Sequence, residues 1–182
     1  GLGDVYKSQL KDGWQFTNLD GQTSEVSIPH TWNAIDGQDG GDDYKRGTCT
    51  YTLALQKPEF DPDTQEVWIE FDGVNASAQV SLNGQNVCSH DGGYSTFRAN
   101  LTGLLADENE LVVKADNSKN DRVYPQMADF TFYGGIYRDV SLLVVHKDHI
   151  ALGHYGDTGV KVTPTLCKDC LLYTSPSPRD TR

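Results

Sequence analysis

Apolar and polar residues alternate with a period of two along much of this chain. Val67, Ile69 and Phe71 interleave with Trp68, Glu70 and Asp72. Side chains of a strand point to opposite faces in turn, so this pattern predicts a strand with one buried face. The same period recurs in Tyr51, Leu53 and Leu55, and in Ala78, Val80 and Leu82. Asn83-Gly84 follows directly and predicts a tight hairpin, because a type I′ turn needs positive φ at both central positions. Leu111-Val112-Val113 and the run from Val140 to Val145 predict two more strands, while Pro58 and Pro62 with their acidic neighbours predict a loop. No segment keeps a long helical period and no internal repeat is present. Many short strands without helices predict an all-β sandwich.

The two termini change the limits of that sandwich. Residues 1–7 back-translate to GGG CTC GGA GAT GTG TAT AAG, which matches a sequencing adaptor; Ser8 needs one base change and Gln9 fits. Cys170 to Asp180 back-translate to the reverse complement of the same adaptor. Two unrelated natural ends would not be expected to be reverse complements. Residues 1–9 and 170–182 are therefore read as adaptor-derived and set aside from the fold. The remainder, about residues 10–169, is long enough for one domain with its own core. It is expected to be an internal piece of a longer reading frame whose true N-terminus is missing, so periplasm and cytoplasm both stay open.

Charge narrows the partners. The chain carries 15 Lys and Arg against 26 Asp and Glu, a net charge of −11. Setting aside Lys7, Arg179, Arg182, Asp4 and Asp180 leaves 12 basic and 24 acidic residues. Phosphate-backbone binding needs a positive patch, so nucleic acid is not an expected partner. No apolar run reaches the length of a membrane span. Cys49, Cys88 and Cys167 are odd in number and widely spaced, which fits neither a disulfide framework nor a zinc site; Cys49 and Cys88 read as small buried hydrophobes.

The most informative segment is Asp129-Phe130-Thr131-Phe132-Tyr133-Gly134-Gly135-Ile136-Tyr137-Arg138-Asp139-Val140. A carboxylate precedes an aromatic run, and a Gly-Gly pair allows a backbone bend that residues bearing Cβ resist. Phe130, Phe132, Tyr133 and Tyr137 have faces that could stack on a pyranose, but core packing is the reading preferred for them. The segment resembles the end of the N-terminal sugar-binding domain of glycoside hydrolase family 2, the β-galactosidase and β-glucuronidase type. Further segments carry the resemblance in the same order: Gly13-Trp14-Gln15-Phe16, Ile28-Pro29-His30-Thr31-Trp32-Asn33, Tyr44 to Tyr51, Phe71 to Ala76, Val80 to Gly84, Gly92 to Phe97, and Asn109 to Val113.

This resemblance implies a galactose-binding-domain-like jelly roll over residues 10–145. Residues 146–169 resemble a linker and the start of the family's immunoglobulin-like domain, with Val160 to Pro164 as its first strand. The implied parent is a retaining β-glycosidase, a β-galactosidase first, acting in carbohydrate metabolism. Its acid/base and nucleophile glutamates would lie on a (β/α)₈ barrel that has no counterpart here, so no catalytic residue is expected in this chain. Asp129 would reach into the barrel's site and hold sugar hydroxyls, since a carboxylate accepts two charge-assisted hydrogen bonds. The bland alternative is a turn cap, or a pair with Arg138 or Arg122.

Asp43, in the loop from Asp36 to Gly47, is the second candidate for a sugar contact. That loop could equally be solvated, or gather oxygens around a metal, although its spacing is not that of an EF-hand. The expected partners are a β-galactoside-type carbohydrate and the barrel of the same chain. No cofactor or metal is expected in this piece, although the parent could hold a divalent cation. An independent carbohydrate-binding module and a purely structural or oligomerisation domain remain as alternatives. His30 lacks a nucleophile beside it and reads as structural, and the sequons at Asn75 and Asn100 read as chance.

Overall fold

The structure, a computed structural model, describes residues 5–37, 44–124, 131–153, 156–157, 159–160, 162–167 and 170–172. Twelve strands are found among them, and no helix: β1 Tyr6–Gln9, β2 Trp14–Thr17, β3 Thr23–Val26, β4 Thr48–Gln56, β5 Gln65–Phe71 and β6 Ser77–Leu82 are followed by β7 Gln85–Asp91, β8 Phe97–Asn100, β9 Glu108–Asp116, β10 Val140–His146, β11 Thr165–Cys167 and β12 Cys170–Leu172. A four-stranded sheet runs β1-β10-β5-β8 and a six-stranded sheet runs β3-β2-β4-β9-β6-β7. All pairings are antiparallel. The two sheets form the expected jelly-roll sandwich.

The period of two explains which side chains meet between the sheets. In β4, Cys49, Tyr51, Leu53 and Leu55 are buried; in β6, so are Ala78, Val80 and Leu82. Tyr51 and Val80 both lie opposite Val113 of β9, so one inward layer spans three strands. Val67, Ile69 and Phe71 of β5 and Val140, Leu142 and Val144 of β10 supply the opposing surface. Each such side chain, fully buried, contributes about 1.5–3 kcal/mol of transfer free energy. The hairpin is also as expected: Asn83 and Gly84 have φ of 52° and 79° and join β6 to β7.

Both chain ends hold strands. Residues 6–9, which the sequence reading set aside as adaptor-derived, pair with β10, Tyr6 opposite Val144 and Gln9 opposite Ser141. A backbone ladder accepts any extended segment, and Lys7 adds an ion pair to Glu70 at 2.7 Å. At the other end, β11 and β12 pair, among the described residues, with each other alone. The strand expected at Val160 to Pro164 is not found in the described residues of that stretch; extended pairing begins at Thr165.

Candidate functional site

One end of the sandwich gathers the turns of both sheets around a buried polar network. Asn33 and Asn117 are its centre, and both are almost fully buried. The backbone N–H of Gly134 donates to Asn33 Oδ1 at 2.9 Å, and that of Gly47 donates to Asn117 Oδ1 at 2.8 Å. These two main-chain donors fix which way each amide faces. Asn117 Nδ2 then donates to Asn33 Oδ1 at 3.0 Å and to the Lys45 carbonyl at 3.1 Å. Asn33 Nδ2 donates to Asp36 Oδ2 at 2.6 Å and to the same Lys45 carbonyl at 3.0 Å. The Asp36 carboxylate also accepts from Lys45 N–H at 3.0 Å, and Trp32 Nε1 donates to Lys45 O at 3.0 Å.

The Gly-Gly bend is required here by close approach. A Cβ on Gly134 would lie 2.6 Å from Trp32 and 2.7 Å from the amides of Asn33 and Asn117. Gly135 has φ of 116° and exchanges two backbone hydrogen bonds with Asn75, at 3.0 and 3.1 Å. This bridge ties the turn before β10 to the turn before β6.

Asp43 and Asp129, the two residues expected to touch sugar, lie outside the described residues, as does Phe130. What the structure places is the root of each loop. Asp36 and Lys45, near the ends of the first loop, and Gly134, beyond the second, are hydrogen-bonded into the Asn33–Asn117 network. The alternative partners considered for Asp129 have other bonds. Arg122 pairs with Asp91 at 2.8 Å, and Arg138 donates to the carbonyls of Tyr94 and Asp72 at 3.0 and 3.3 Å.

The aromatics of the motif depart from the expected core packing. Phe132 and Tyr137 are half-buried and Tyr133 is 43% exposed. Tyr137 donates its hydroxyl to the Gly93 carbonyl, and Arg138 lies over its ring at 5.2 Å. Tyr94, 42% exposed, meets Tyr137 edge-on at 6.4 Å. Burial pushes the phenol pKa of both tyrosines up, against the opposing pull of Arg138. Both therefore stay neutral and can act as apolar faces with a polar tip.

His30 is structural. Its Nδ1 lies 2.8 Å from Tyr51 Oη, its backbone N–H donates to Ile136 O, and burial lowers its pKa. Burial pushes the thiols of Cys49 and Cys88 up to about 11, which leaves them protonated and unreactive at neutral pH. Cys88 is only half-buried, less enclosed than its sequence context suggested. Among the described residues, no group of three His, Cys, Asp or Glu is placed to hold a metal ion. Asn33 and Asn117 were not singled out by sequence reasoning. The one available signal was position, and only for Asn33, which directly follows Trp32 at the end of a resemblance-bearing segment; Asn117, between Asp116 and Ser118, carried none.

With this geometry in hand, comparison with known proteins defines the class. Residues 6–146 match the family model described as glycosyl hydrolases family 2, sugar binding domain. The chain belongs to that family. A β-glucuronidase of Bacteroides fragilis is 38% identical over 172 residues, which is 88% of this chain and 24% of the relative. A β-galactosidase of Thermoanaerobacter pseudethanolicus is 28% identical over 146 residues, 78% of this chain and 20% of the relative. Among solved structures, the FMN-binding β-glucuronidase from Facaelibacterium prausnitzii L2-6 superposes with a TM-score of 0.81 at 36% identity, covering 96% of this chain and 29% of that one. The chain thus spans less than a third of the length of each of these relatives.

Proposed function

We propose that this chain is the sugar-facing part of a retaining β-glycosidase, bracing a catalytic barrel and lending it polar contacts from two loops. The observation that carries this reading is the Asn33–Asn117 network. It ties the root of the loop bearing Asp43 to the turn that follows Asp129, across 101 residues of sequence. Two carboxylate-bearing loops are useful to a sugar only if their bases are held in one frame, because misplacement of binding groups costs rate steeply. Asp129 and Asp43 would then accept hydrogen bonds from sugar hydroxyls, bonds of the charge-assisted kind. Proton transfer and nucleophilic attack belong to two carboxylates elsewhere in the protein, about 5–5.5 Å apart in a retaining enzyme.

The sequence alone favoured a β-galactoside as substrate. Relatives named β-glucuronidase are 38% and 31% identical over most of this chain, against 28% and 30% for two named β-galactosidase. This supports a β-glucuronide as the first substrate to test. The test is to express the complete reading frame and compare aryl β-glucuronide with aryl β-galactoside. A kcat/KM at least tenfold higher on the glucuronide is expected. Preference for the galactoside would make a β-galactoside the substrate, and activity on neither would remove the glycosidase proposal.

A further inference from the structure

The outer face of β10 should be wet, but it is not. Ser141, Leu143 and Val145 of β10 point away from the inter-sheet core and are still only 2–5% exposed. What covers this face is the segment that follows β10. Lys147 N–H donates back to Thr64 O at 2.8 Å. His149 meets the ring of Trp68 edge-on at 6.1 Å, and Trp68 is the cross-strand partner of Leu143. Gly153 lies over the same indole, since a Cβ there would be 3.5 Å from it.

Two separate devices hold the segment down. The first is electrostatic. Glu70, across the strand pair from Ser141, has a side chain 9% exposed and receives Arg98 Nε at 2.6 Å on one oxygen and Lys7 Nζ at 2.7 Å on the other. Arg98, aimed by that pairing, donates from its other nitrogen to the carbonyls of Asp157 at 3.1 Å and Leu152 at 3.4 Å. The second is steric. Gly156 has φ of +70° and lies so close to the Thr96 backbone that any Cβ would collide with it. Thr96 sits in the short turn that also carries Tyr94, so the segment abuts the turn that reaches the sugar-facing end.

We infer that residues 147–153 with 156–157 are a strap belonging to the sandwich, latched by Arg98 and seated by Gly156, which sets the direction in which the chain leaves the sugar-binding domain. The strap extends the unit past Val145, the limit that strand patterning gives. Lys7 is half-exposed and its bond is replaceable by water, whereas Arg98 is 15% exposed and touches both the carboxylate and the strap. Arg98 is therefore the latch and Lys7 an accessory. The inference rests on contacts within this chain and stands whether or not the sugar reading holds.

Hydrogen exchange on the 182-residue protein tests it, with Arg98→Met removing the latch and Gly156→Ala unseating the strap. Each variant should speed exchange of the amides of Lys147 and Asp148, and of the peptide spanning 146–159, by about tenfold or more. Peptides from β4 and β9 should keep wild-type protection. Because Gly156 lies outside both sheets, that variant reports on the strap even if loss of Arg98 harms folding. Unchanged exchange at 146–159 in Gly156→Ala, or equal deprotection of β4, β9 and the strap in that variant, would overturn the inference.

Discussion

Replacing Asn117 by Ala should be among the most damaging single polar changes in this domain. Its side chain makes three hydrogen bonds: to Asn33 Oδ1, to Lys45 O, and from Gly47 N–H. Each contributes about 1 kcal/mol net, and the abandoned Gly47 N–H costs about 1–3 kcal/mol unless water reaches it. Gly47 is half-buried, so partial rescue by solvent is expected and the total should be about 2–4 kcal/mol. For a domain of this size that lowers Tm by roughly 5–15 °C. Asn117→Asp sharpens the test. Its second oxygen would face Asn33 Oδ1 and Lys45 O, acceptor against acceptor, so the folded state must favour the protonated acid. Its folded pKa is then raised above the unfolded value of about 3.9. The deficit relative to wild type should be smallest below that pH and should grow as pH rises through the folded pKa. Urea titration at pH 4 and pH 7 reads both variants. An Ala variant within about 0.5 kcal/mol of wild type, or an Asp deficit flat in pH, would refute the network's role.

Other expectations follow from the same structure. Leu111→Ala, which empties a fully buried position opposite Leu53 and Leu82, should cost about 2–5 kcal/mol by chemical denaturation. Glu70 feels burial raising its pKa, but hydrogen bonds from Lys7 and Arg98 prevail and hold it below the usual carboxylate range. Its contribution is therefore present above the unfolded carboxyl pKa and lost as pH falls through the lower folded value. The stability gap between wild type and Glu70→Gln should accordingly shrink below about pH 4. The 182-residue chain by itself should not hydrolyse aryl β-glucuronides or β-galactosides, and turnover that disappears on mutating a residue of this chain would contradict the division of labour proposed.

Alternation was legible in β4, β5 and β6, where Thr52, Glu70, Gln79 and Ser81 separate inward apolar residues, and β9 was legible as the run Leu111-Val112-Val113. β2, β3 and β8 have four residues each, too few for a period to declare itself. β7 is an edge strand with no fully buried residue, so only the hairpin before it announces it. β10 is buried on both faces, and its run from Val140 to Val145, broken only by Ser141, gave the strand but not the strap that covers its outer side. The Gly134-Gly135 bend was legible as a bend; its cause, the indole of Trp32 and two amides within 2.7 Å of a virtual Cβ, was not. Asn33 and Asn117 stayed hidden for a related reason. A buried amide earns its place through partners far away in sequence, and no local pattern records them.

The most direct measurement takes Asp129→Asn in the complete protein and compares kcat/KM on the preferred aryl β-glycoside with Tm. Asn keeps one acceptor and loses charge-assisted bonds worth about 1.5–3 kcal/mol each. If the loop rooted beside Gly134 presents this carboxylate to the sugar, kcat/KM should fall by about tenfold to a hundredfold per lost bond while Tm holds. A variant that melts markedly lower with wild-type kinetics would contradict the account and make Asp129 a turn residue.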